Sequence, residues 1–174
     1  MILRGGALIF QGHAAEGIAQ LTHGLAATRA IGGVLFQPYY LSLLAAAYDH
    51  VGQPQEGLRG LAEALALVEQ TGERWWQAEL SRLQGELMLR QGSPGRHQHP
   101  LAAEACLQQA LAVARRQQAK ALELRAAMSL SHLWLRQGKR EDARQLLADV
   151  YGWFTECFDS ADLQEARALL DELS

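Results

Sequence analysis

Leucine and alanine recur along this chain three and four residues apart, polar residues fill the opposite faces, and glycines break the pattern at nearly fixed intervals. The stripe Leu41, Leu44, Ala45 and Tyr48 predicts a helix over about 35–51, ended by Gly52. Pro54, suited to a first helical position, opens a second helix with Leu58, Leu61, Leu65 and Val68 inward and Gly72 at its close. Trp76, Leu80, Leu83 and Leu87 predict a helix over about 73–90, and the polar, turn-rich run 92–99 predicts a loop. Pro100 opens the next helix, with Ala103, Leu107, Ala110, Leu111 and Ala114 on its inner side. Two more follow: about 119–137, on Leu122, Ala126, Leu130 and Leu133, and about 140–156, on Ala143, Leu146, Leu147, Val150, Tyr151 and Phe154. Ser160, a good N-cap with Asp162 in the first turn, begins a last helix with Leu163, Ala166, Leu170 and Leu173 on one face and Gln164, Arg167 and Asp171 on the other. It is expected to cap the array.

The glycines carry a longer period. Gly12, Gly52 and Gly92 are 40 residues apart, and Gly138 follows after 46. Five residues after each of the first two stand Gly17 and Gly57; Ala103 and Ala143 complete the series, with steps of 40, 46 and 40, so one six-residue insertion between Gly92 and Ala103 explains both irregular steps. A fixed period of this length predicts an all-α, right-handed α-solenoid of about four antiparallel helix pairs plus a C-terminal capping helix. The repeats are placed at about 1–33, 34–72, 73–118 and 119–158, with the capping helix at 160–173, all within a single domain covering 1–174. The first helix, about 1–11, is short and weakened by Gly5 and Gly6, which gives the expectation that the chain is a C-terminal fragment of a longer array.

Composition agrees: 49% of residues are hydrophobic, enough for a continuous core, and only four are proline. A net charge of -3 provides no electrostatic attraction to nucleic acid, and no apolar run is long enough for a membrane-spanning helix. Cys106 and Cys157, with no CxxC spacing, are expected as small packing residues of a reducing, cytoplasmic compartment.

The spacing resembles the tetratricopeptide pattern. The position where paired helices cross holds Gly5, Ala45, Gly85 and Ser131, and the next large position holds Leu8, Tyr48, Met88 and Trp134. The second helices carry Gly17-Leu21-Gly24, Gly57-Leu61-Ala64, Ala103-Leu107-Ala110 and Ala143-Leu147-Val150. The period departs from that family's 34 residues, and its usual proline at the repeat end is absent. The runs 71–80, 84–89, 110–120 and 150–154 are similar to the C-terminal repeats of bacterial adenylyl or guanylyl cyclase–AAA-like ATPase signalling proteins. That resemblance implies a non-enzymatic protein-protein interaction or scaffold module that binds a protein, a peptide or neighbouring domains. By the family's rule the first helix of each pair lines a concave partner-binding surface. The implied residues are Tyr39, Ser42, Ala46 and Asp49, then Glu79, Arg82 and Glu86, then Arg125, Met128 and His132.

No phosphate-binding loop, dinucleotide fingerprint, nucleophile elbow or zinc-protease motif is present, so no catalytic residue, cofactor or metal is expected. His97 and His99 have no third ligand in view and are expected in a solvated loop. Trp76 is expected to pack, while Trp75 lies either exposed at a junction or against the end of the preceding helix. Self-association is the alternative function, through a poorly covered stripe of Leu3, Leu8, Ile18, Leu21 and Leu25, and a small-ligand sensor is the third.

Overall fold

The computed structural model describes residues 2–91 and 100–174. The described residues form nine helices and no strand: α1 (Ile2–Phe10), α2 (Ala14–Ala30), α3 (Gln37–His50), α4 (Pro54–Thr71), α5 (Gln77–Arg90), α6 (Pro100–Gln117), α7 (Lys120–Arg136), α8 (Arg140–Tyr151) and α9 (Ala161–Leu173). The expected loop with His97 and His99 lies outside them.

Every helix packs against its successor. The odd-numbered helices also touch one another in series, α1 to α3, α3 to α5, α5 to α7 and α7 to α9, whereas among the described residues α2, α4, α6 and α8 pack only on their sequence neighbours, apart from the Arg29–Glu63 ion pair that joins α2 to α4. The reason is small side chains at the crossings. Gly5, Ala45, Gly85 and Ser131 are all buried. A Cβ added to Gly85 would lie 2.8 Å from Leu107 Cγ and 3.0 Å from the Ala103 carbonyl oxygen, and one on Gly5 would lie 2.9 Å from the Leu21 nitrogen. At the last crossing the Ser131 hydroxyl donates to the Ala143 carbonyl at 3.1 Å, so a polar side chain is satisfied where two helices nearly touch.

Between the helices of a pair, Gly12, Gly52 and Gly138 take positive φ (85°, 74° and 79°), the conformation that ends a helix without a Cβ clash. The connections that lead onward to the next pair turn on Gly32, Gly72 and Gln118, spaced by the same 40 and 46 residues. Each carries a clasp eight residues long: Arg29 Nε to Gln37 Oε1 at 3.3 Å, Gln77 Nε2 to Glu69 Oε1 at 3.5 Å, and Arg115 Nε to Glu123 Oε1 at 3.0 Å. Position is kept while chemistry changes.

The core runs in two large clusters, one over α2–α5 around Leu21, Leu61 and Leu80, the other over α6–α9 around Leu107, Leu130 and Leu147. Ala78, Val113, Ala114 and Leu122 form a small third cluster on α5, α6 and α7, which meets the α2–α5 cluster through Trp76. Burying each leucine contributes about 1.5–3 kcal/mol.

Some boundaries differ from the sequence reading. α5 begins at Gln77 rather than near Glu73, because residues 73–76 form a turn in which Thr71 Oγ1 accepts from the Glu73 N–H at 3.2 Å and the Gln77 N–H reaches the Arg74 carbonyl at 3.0 Å. α8 ends at Tyr151, where short i→i+3 bonds from Trp153 and Phe154 close the last turn. Leu169, not only Leu163, Ala166 and Leu173, is buried in α9, while Leu170 is half-buried. Ser160 caps by backbone position alone, without a side-chain bond. Within the stripe expected to be poorly covered, Leu21 and Leu25 are buried under α1 and α3 and Leu8 and Ile18 are half-buried, while the Leu3 side chain lies outside those described. Cys157 is exposed rather than packed.

Candidate functional site

The series of odd helices brings the polar residues of α3, α5 and α7 to one side, and their side chains bond across the helix contacts. On α5, Glu79, Arg82 and Glu86 follow at three and four residues and share one face. Arg82 makes a two-pronged pair with Glu79, Nη2 to Oε1 at 2.7 Å and Nε to Oε2 at 2.9 Å, and its Nη1 lies 2.6 Å from Glu86 Oε1. The same Nη1 donates to the Ser129 hydroxyl on α7 at 3.2 Å, and Ser129 donates to Glu86 Oε1 at 2.7 Å. Arg125, one turn earlier on α7, lies 3.8 Å from Glu79 and pairs with Asp162 of α9 at 2.7 Å. One chain of charges therefore runs through α5, α7 and α9. Burial opposes the Arg82 charge, but the hydrogen bonds and negative charge of Glu79 and Glu86 outweigh it and hold the guanidinium more firmly protonated than usual.

This changes the reading of the candidate surface. Ser42, Glu79 and Met128 are buried and present nothing to solvent. The cause is the packing of the odd helices on one another: Glu79 is committed to Arg82, Met128 joins the α6–α9 core, and Ser42 accepts the Trp76 indole N–H at 2.9 Å while donating to the Tyr39 carbonyl at 2.6 Å. Tyr39, Ala46, Asp49, Arg82, Glu86, Arg125 and His132 are half-buried. Asp49 pairs with Arg90 across α3 and α5. Tyr39 lies at the other end, with its ring 5.7 Å from Trp75 and 5.3 Å from Trp76. Trp75 itself is 43% exposed at the junction, against Phe36 at 5.9 Å.

Glu86 and His132 do come together. They line a cleft of about 280 Å³ between α5, α7 and α9, completed by Ser129, Arg90, Arg136 and Glu165. The lining mixes cations, carboxylates, a hydroxyl and an imidazole. Sequence reasoning missed Ser129, although it stands four residues after Arg125 and three before His132, on the same helical face. It also missed Asp162 as the partner of Arg125, because that pairing joins residues 37 apart across α7 and α9. Among the described residues no group of three or more His, Cys, Asp and Glu side chains is arranged to hold a metal, and no helix is long and apolar enough to cross a membrane.

No family model matches the chain. It is 32% identical over 144 residues to an uncharacterized protein of Rhizobium meliloti (strain 1021), a match that takes in 79% of this chain. The chain spans about 14% of the length of that relative.

Proposed function

We propose that the chain is a non-enzymatic protein-interaction module, a right-handed tetratricopeptide-like α-solenoid whose odd helices present the α5–α7–α9 cleft to a peptide or a neighbouring domain. The observation that carries this is the repeated crossing: a small residue seated on a small residue at Gly5–Gly17, Ala45–Gly57, Gly85–Ala103 and Ser131–Ala143, with the odd helices in one unbroken series. A stack of equivalent helix pairs supplies a stiff, partly polar surface suited to docking an extended or helical segment. We place the module in the regulatory C-terminal repeat region of a bacterial cyclase- or ATPase-linked signalling protein. Its match to a small part of a much longer bacterial protein supports its being one unit of a large chain.

The test is selection of a random-peptide phage library on the full chain, then calorimetry with the enriched peptides. Micromolar peptides that lose about tenfold, or ~1.4 kcal/mol, against Arg136→Glu at unchanged helicity are the expected result. Enrichment of no sequence pattern, or equal affinity for the variant, overturns the reading.

Self-association is the second reading, favoured by exposed Ile31, Val34, Leu35, Phe36 and Trp75, which gather in the two connections that lead into α3 and α5. Sedimentation across a concentration series decides it, and a monomer at the highest concentration removes it.

A further inference from the structure

The three onward connections are not equivalent. Residues 33–36 separate Gly32 from α3 and residues 73–76 separate Gly72 from α5, but only Ala119 separates Gln118 from α7. The longer connections fill the space between neighbours: Glu73 accepts from the Phe36 N–H at 3.0 Å, Trp75 packs on Phe36 and Tyr39, and Gln117 Nε2 donates to the Arg74 carbonyl at 2.7 Å. The short third connection leaves a gap of about 610 Å³ before the segment that follows α8, lined by Arg115, Gln118, Lys120, Glu123 and Trp153.

Three features of this cavity point to a ligand. Trp153 is 58% exposed, with Lys120 Nζ 5.4 Å from its ring centroid. Arg115 bonds Glu123 through Nε, and Lys120 bonds the other carboxylate oxygen at 2.8 Å, so both cations are held in place while Arg115's two η nitrogens and two of Lys120's protons have no partner among the described hydrogen bonds. Gln118 occupies a left-handed backbone position (φ 55°) that Gly32 and Gly72 fill in the earlier connections, and its side chain lines the gap. A glycine there would fold more easily and would leave that wall without an amide.

We infer that this cavity binds a small molecule in which a planar aromatic ring carries a carboxylate or phosphate: the ring stacks on Trp153, the anion meets Arg115 and Lys120, and the Gln118 amide bonds the ring edge. The size falls in the range of small-molecule sites, and Lys120 over the Trp153 ring, with Phe154 edge-on to it at 5.3 Å, holds the exposed part of the indole in place for a ring to stack on. This site is separate from the α5–α7–α9 cleft, and its test does not depend on peptide binding.

The test is calorimetry on the full chain with indole-3-acetate and adenosine monophosphate, against indole, adenosine, acetate and inorganic phosphate. A Kd below about 1 mM for either ring-plus-anion probe, at least about tenfold tighter than its ring-only and anion-only controls, is expected. Binding by one probe and not the other supports the inference for that probe's combination of ring and anion. Trp153→Ala, at an exposed position that leaves the core intact, Arg115→Gln and Gln118→Gly are each expected to weaken binding by about tenfold. The inference is overturned if neither probe binds below about 1 mM, if the ring-only or anion-only control comes within about tenfold of the probe, or if all three variants bind like the parent chain.

Discussion

At the scale of single residues, identity matters most where backbones approach or turn. Gly60 and Gly85 both sit inside helices, yet they are expected to respond oppositely to alanine. A Cβ on Gly60 meets only the Leu41 carbonyl oxygen at 3.9 Å, so Gly60→Ala gains helix propensity without a clash and should raise stability by about 0.5–1 kcal/mol. The same change at Gly85 drives a methyl into Leu107 and the Ala103 carbonyl, and should cost about 1–3 kcal/mol. Urea titration of the two variants checks the sign at each. Gln118→Gly relieves a left-handed side-chain position and should add about 1 kcal/mol, seen as a rise of about 2–4 °C in melting temperature. An unchanged or lower melting temperature would show that the Gln118 side chain stabilises the connection by as much as its backbone strains it. The small residues at the crossings were legible in the sequence, because they recur at one register. The non-glycine turn at Gln118 was not, since its conformation is set by the two helices it joins.

At the scale of helices, Glu104 fastens α6 to the α7–α8 pair. Its carboxylate accepts from the Trp134 indole at 2.7 Å, from Gln137 at 3.2 Å, and from Lys139 at 3.5 Å. The Trp134 hydrogen bond, then those of Gln137 and the charge of Lys139, outweigh burial and hold the Glu104 pKa below its ordinary value. Glu123 is also lowered: burial pushes it up, but Lys120 and Arg115 together push it down further. A carboxyl whose folded pKa lies below its unfolded one stabilises the fold above the unfolded pKa, and that contribution is lost as pH falls through the folded value. Glu104→Gln should therefore cost about 1.5 kcal/mol near pH 7, with the gap to the parent chain closing as pH falls below the ordinary carboxyl range. Melting curves of both proteins across that range test it, and a pH-independent gap would assign the effect to packing. The partners of Glu104 lie 30 to 35 residues away, on α7 and in the turn that follows it, so nothing in its own helix marked it. Glu79 was similarly placed on the right helix and face but read as exposed: its sequence period gives a direction, and only the neighbouring α7 makes that direction an interior.

For the whole molecule, the decisive property is that each helix touches only near neighbours in the chain. α9 meets α7 and α8 and buries Leu163, Ala166, Leu169 and Leu173. Arg140 at the start of α8 donates to the carbonyls of Leu173 at 3.1 Å and Ser174 at 2.9 Å, and Asp162 completes the charge chain through Arg125. Removing residues 160–174 exposes the facing core and should cost roughly 6 kcal/mol, from about 2 kcal/mol for each of the three buried leucines Leu163, Leu169 and Leu173. Because α9 has no contact with α1–α6, the loss of hydrogen-exchange protection should concentrate in α7 and α8 and leave α3 and α4 nearly unchanged. A uniform loss along the chain would show that the array unfolds as one unit.

The sequence alone determined the helices, their order and the places where they cross, because these follow from the 3.6-residue period, from glycine at the turns and from small residues at one register. Tertiary structure decided which polar residues are buried, which charges pair, and where a gap opens between helices. Those depend on what a distant helix presents at a given point: Ser129 against Arg82, Asp162 against Arg125, Trp153 across from Arg115. A one-dimensional period fixes the direction in which a side chain leaves its own helix, and the energy of a polar group depends on what it meets there.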